Sequence, residues 1–168
     1  MSLDHLYGPV DAWDDPFGDL LPDAVSEGST LVLLENAPQS ENPVAINCRA
    51  DFKQFVREFW DYVPGASNLI WNWHLDVLCE ELQIVAERVF AGLPKEYDLV
   101  INIPPGTSKS TLCSILFPAW CWTRKAETRV LSASHTDELV LDLANKSREV
   151  IRSERYTELF PGIDLHKD

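Results

Sequence analysis

The run YDLVINIPPGTSKSTLCSILFPAW, Tyr97 to Trp120, changes its hydrophobic period halfway along. Tyr97–Ile103 is short, apolar and rich in β-formers, which predicts a buried strand. Ser110–Trp122 is longer and apolar, which predicts a helix, interrupted or kinked near Pro118 because proline has no N–H to donate. Between them lies Pro104–Thr111. A loop that cradles phosphate needs inward-facing backbone N–H groups, a residue tolerant of positive φ, a lysine, a hydroxyl for a metal ion and a helix N-terminus. Gly106, Lys109, Ser110 and the helix beginning there supply these, with Pro105, Thr107, Ser108 and Thr111 completing the loop. Against the usual pattern G-x-x-x-x-G-K-[ST], the chain has Ile103 and Ser108 where the two glycines belong. The prolines Pro104-Pro105 stiffen the exit from the strand and add no donors. The expected ligand is ATP, with Mg2+ on the Ser110 hydroxyl. The plainer alternative is an ordinary strand–turn–helix connection with an exposed lysine.

Outward from the loop, Thr128–Ser134 predicts a second strand and Thr136–Ser153 an amphipathic helix with Leu139, Val140, Leu143, Ala144, Val150 and Ile151 inward. A helical turn over Glu154–Phe160 precedes Pro161-Gly162. Upstream, Asp51 is a candidate N-cap for a helix carrying Phe52, Phe55, Val56, Phe59 and Val63, stopped by Pro64-Gly65. Trp73 to Phe90 carries one apolar stripe, closed by Gly92 and Pro94. Its acids Asp76, Glu80, Glu81 and Glu87 read as a wet helix face. Two helices followed by β-loop-α-β-α predict an α/β fold, the N-terminal, incomplete portion of a P-loop NTPase-type parallel sheet with crossover helices. Residues 50–168 form this part. Residues 1–49, acidic and proline-rich, read as a loosely ordered arm, either a solvated tail or a docking segment.

Charge constrains the partners. Net charge is −13, of which residues 1–50 hold nine acids and one base, so −8 lies there and −5 in the rest. Nucleic-acid binders normally show basic excess, so any DNA contact must be local or come from parts not present here. The strip Lys146, Arg148, Arg152 and Arg155 is interleaved with Glu149 and Glu154, and a solvated face is the plainer reading. No apolar run is long enough to span a membrane, and the N-terminus lacks the features of a secretory signal. Cys48, Cys79, Cys113 and Cys121 show neither CxxC pairing nor zinc spacing, consistent with reduced, buried thiols in a cytosolic protein.

Three motifs, in order over about residues 52–165, carry a resemblance. INIPPGTSKSTLCSILFPAW resembles the ATPase centre of the large subunits of tailed-phage terminases, the motors that package viral DNA. Trp71-Asn72-Trp73-His74 and the following helix resemble the W-x-x-H-x-x-L-C-x-x-L stretch of that family. VLSASHTDELVLDLANKSREVIRSERYTELFP resembles the segment after the loop helix, ending in S-x-x-Y-x-x-L-[FW]-P. The resemblance implies ATP and Mg2+ as cofactors. Its implied partners are a small terminase subunit, a portal protein, double-stranded viral DNA and sister subunits in a ring, in the host cytoplasm. Many members have an arginine where this chain has Gly106, so an arginine finger must come from elsewhere, with Arg124, Arg129 and Arg148 as candidates. The family's acidic strand and nuclease domain lie beyond Pro161 and are not in this sequence, so no catalytic residue is identifiable and little hydrolysis is expected of the chain alone; the alternatives are a truncated nucleotide-binding or inert assembly module, or another P-loop ATPase or helicase-like enzyme. By the same resemblance Trp73 and His74 could contact adenine; packing at a helix start is the other reading of Trp73. His135 could sense phosphate or DNA, with capping of the next helix as the plainer reading.

Overall fold

A computed structural model of the chain describes residues 42–163. The elements are α1 (Pro43–Ala50), α2 (Phe52–Phe59), a 3-10 turn (Trp60–Tyr62), α3 (Trp73–Phe90), a π-helical turn (Thr111–Leu116), α4 (Phe117–Arg124), α5 (Asp137–Arg152) and α6 (Glu154–Leu159). No strand occurs among the described residues. The predicted parallel sheet is therefore corrected to a helical assembly.

The reason lies in the two runs read as strands. Residues 97–103 and 128–134 are irregular, and a strand exists only through ladder hydrogen bonds to a neighbour. Among the described residues neither run has such a neighbour. Some side chains that a buried strand would hide are in the open, Val100 at 85% exposure and Leu131 at 97%, while Leu99, Ile101 and Ile103 stay half-buried against the core. The loss of cover extends to α5, whose predicted inward face is sealed only in its second half. Ser147, Val150 and Ile151 are buried there, whereas Leu139 and Ala144 are exposed.

The upstream helices form as their sequence dictates. Asp51 Oδ1 accepts from the Lys53 amide at 2.8 Å, capping α2, and Phe52, Phe55, Val56 and Phe59 bury one face. In α3, Leu75, Leu78, Cys79, Leu82 and Ala86 are buried. Gly92, at φ +67, ends it in a Schellman arrangement: Leu93 N donates to Arg88 O and Gly92 N to Val89 O. The acids of α3 act as ion-pair partners. Glu80 and Asp76 meet Lys53 of α2, and Glu87 meets Arg124 of α4.

Helix α1 falls inside the residues read as the arm. Asn42 Oδ1 accepts from Val44 N at 3.0 Å, Pro43 occupies the first turn, and Ala45 and Cys48 are buried. The rest of the predicted arm lies outside the described residues.

The core is aromatic. The Phe55 ring centroid lies 4.5 Å from Phe59, Tyr156 lies 5.0 Å from Phe160, and Phe52 lies 5.1 Å from Trp120. Burying each such ring contributes on the order of 2–3 kcal/mol. The polar tips are satisfied by backbone: Trp120 Nε1 donates to Cys48 O at 2.9 Å and Tyr156 Oη to Ala119 O at 2.8 Å. Burial pushes the Cys48 thiol up to about 11 and those of Cys79 and Cys121 up to about 12, and all four cysteines are free.

Candidate phosphate-binding site

The loop is shaped by two left-handed residues. Gly106 has φ +79 and Ser108 has φ +63. Ser108 is the one non-glycine residue with positive φ among those described, and it occupies the slot of the second glycine in the phosphate-loop pattern. Serine in this region costs on the order of 1 kcal/mol relative to glycine. Strain of this kind persists where the surroundings over-determine it, often at functional sites. Thr107 Oγ1 donates to Pro104 O at 2.7 Å and pins the turn, while Leu112 N donates to Ser108 O at 3.0 Å and begins the helix. Around Gly106 the backbone is open: a Cβ there would meet nothing within 4 Å.

The loop therefore delivers Lys109 and Ser110 into the first turn of a helix. Lys109 is half-buried and Ser110 exposed, with Pro105 and Gly106 exposed before them and Thr107, Ser108 and Thr111 half-buried. Left-handed residues ahead of a helix N-terminus are one way a backbone turns its amides toward an anion. Sequence reasoning assigned the positive φ to Gly106 alone. That Ser108 shares it was hidden, because nothing in serine's chemistry announces a left-handed backbone.

The helix runs without a break from residue 109 to 124, through six π-helical residues. Phe117 N donates to Leu112 O, five residues back. Pro118 explains the wide turn. It has no N–H for Ser114 O, and its ring would strike that carbonyl in an α-register. The kink anticipated at Pro118 takes the form of this π turn.

Other candidates separate. Trp73 is 72% exposed at the start of α3, so it is not a core residue, and its ring meets His74 edge-on at 6.2 Å. Arg124 is committed to structure: it donates to Glu87 with both terminal nitrogens and to Arg49 O, and stacks over Phe90 and Trp120. It is not free to serve as an arginine finger. Arg148 donates to Asn145 Oδ1 at 3.3 Å, and Arg129 is exposed. His135 does not cap α5. Thr136 holds the N-cap position without a side-chain bond, and the His135 ring lies 3.5 Å from Ser134 Oγ. In the basic strip, Lys146 pairs with Asp142, and Arg155 with Glu58 and Glu158, which removes two of the four cations from any DNA surface.

Among the described residues no group of three or more His, Cys, Asp or Glu could hold a metal ion, and no helix is long and apolar enough to cross a membrane. Comparisons with family models, with curated proteins and with solved structures returned no match.

Proposed function

We propose that residues 104–111 bind the phosphates of ATP and that the chain is the nucleotide-binding part of the large subunit of a viral DNA-packaging motor. The observation that carries the first half is the left-handed Ser108, beside Gly106, immediately before Lys109 and Ser110 at a helix start. An ordinary connection has no use for that strain. Lys109 supplies the cation for the β- and γ-phosphates. Ser110, exposed in the first turn, fits as one hydroxyl ligand to Mg2+, the other ligands coming from the nucleotide and water. The second half is supported by the order and content of the three motifs shared with terminase large subunits. On that reading the motor's ATP hydrolysis drives DNA into a procapsid in the host cytoplasm, with the small subunit, portal and sister subunits as partners.

Calorimetric titration of the chain with ATP and Mg2+ tests the site. Lys109→Ala should abolish binding, because no other side chain of the loop carries positive charge. Equal affinity in the variant and the parent refutes the assignment.

A further inference from the structure

Resting on that nucleotide reading, we infer that Thr107 is a positioning residue of the phosphate loop: its hydroxyl closes the turn over Pro105-Gly106 and holds the loop in shape before a phosphate arrives. Proline followed by glycine at φ +79 fits the two central positions of a type II turn, which needs a left-handed residue in the second. Pro104 and Thr107 are then its ends, and Thr107 Oγ1 donates to Pro104 O across them at 2.7 Å. Among the described residues this is the one hydrogen bond made by a side chain of residues 104–111. The core fixes the loop on either side. Ile103 packs half-buried against it before the turn, and Leu112 is fully buried in the first turn of the helix after it. Between those anchors Pro105 and Gly106 are exposed, and a Cβ on Gly106 would meet nothing within 4 Å. The shape of the turn therefore depends on its own bonds.

A hydroxyl has one hydrogen to donate. Thr107 spends it on Pro104 O, which leaves only lone pairs, and these repel phosphate oxygens. The hydroxyl thus serves the phosphate through the backbone it holds. Glycine populates positive and negative φ about equally, so Gly106 by itself does not keep the turn closed. With the turn open, binding must first re-form it; with the hydroxyl in place that ordering is already done, and less opposes the ligand. The bond is exposed, so water can take over the Pro104 carbonyl when the hydroxyl is lost, which holds the effect to about three- to tenfold in affinity.

Thr107→Val keeps the shape of the side chain and removes the hydroxyl, whereas Thr107→Ser keeps the hydroxyl. In calorimetric titration of the full chain with ATP and Mg2+, Thr107→Val should bind at least about threefold more weakly than the parent, and Thr107→Ser should recover the parent's affinity. In the ATP-free chain, the backbone couplings that report φ at Gly106 should shift from their left-handed values in Thr107→Val and keep them in Thr107→Ser. A loss below about threefold in Thr107→Val, or an equal loss in Thr107→Ser, overturns the inference while leaving the loop assignment intact. Weaker binding with the Gly106 couplings unchanged means that the hydroxyl meets the phosphate itself, and overturns it too. If the parent binds no ATP, or Lys109→Ala binds it equally well, the loop assignment fails and this inference falls with it. Should Thr107→Val not fold, Thr107→Ala is measured in the same way against the same limits.

Discussion

Exchanging the Cβ atoms of the phosphate loop at its two left-handed positions should move stability in opposite directions. Ser108→Gly removes a Cβ at φ +63, and Gly106→Ala adds one at φ +79 where nothing lies within 4 Å. Both effects are thus conformational, without a steric clash. A left-handed non-glycine residue costs about 1–2 kcal/mol, and glycine costs about 0.4–1 kcal/mol through the freedom it gives the unfolded chain. The difference leaves Ser108→Gly more stable by about 0.5–1 kcal/mol, and Gly106→Ala less stable by a similar amount. Urea unfolding is the assay. The slope should be unchanged in both variants, with the midpoint raised in one and lowered in the other. Ser108→Val sharpens the contrast, since a β-branched residue is poorly tolerated at positive φ, and should be the least stable of the three. Coincident midpoints for all variants, or destabilisation by Ser108→Gly, would refute the left-handed assignment at residue 108 and with it the main support for the site.

Other expectations can be checked directly. Ser110→Ala should weaken Mg2+-ATP more than metal-free ATP, because the hydroxyl acts only through the ion; equal losses by calorimetry contradict that role. Trp73→Ala should change stability by less than about 0.5 kcal/mol, as expected of an exposed side chain, and should weaken ATP more than inorganic triphosphate if the ring stacks on adenine. Alkaline unfolding should follow the thiols. Burial raises Cys48 to about 11 and Cys79 and Cys121 to about 12, so the fold keeps protons that the unfolded chain releases. This stability is whole below the ordinary thiol range near pH 8.5 and is lost as pH rises through about 11 to 12. A urea midpoint flat from pH 8 to 11 would contradict it.

The helices were legible where periodicity and caps agreed. Asp51 before a Phe52–Phe59 stripe, and Trp73–Phe90 closed by Gly92, needed only local physics. Helix α1 carried its own signal, Asn42-Pro43 at the start, but the surrounding acids and prolines masked it. The strands were misread for a different reason. An apolar β-forming run states a preference, and a ladder partner must meet it; residues 97–103 and 128–134 find none among the described residues. At the loop, Gly106, Lys109 and Ser110 could be read from residue type, whereas Ser108 and the π turn needed coordinates. Arg124 shows the limit of charge alone, since its sequence neighbours do not reveal Glu87 or the rings beneath it.

The bonds that lock the core span long stretches of chain: Trp120 reaches Cys48 across 72 positions, and Arg155 reaches Glu58 across 97. Phe55 and Phe59 both meet the rings of Tyr156 and Phe160, far along the chain. During synthesis, then, α2 emerges from the ribosome with α1 and soon α3 to pack on, but its rings wait for Tyr156 and Phe160 until nearly a hundred more residues have been added. At about 5–20 residues per second that wait lasts several seconds, long enough for a chaperone to bind the nascent chain. The same aromatic cluster that holds the finished protein together is thus the last part of the core whose pieces are all available.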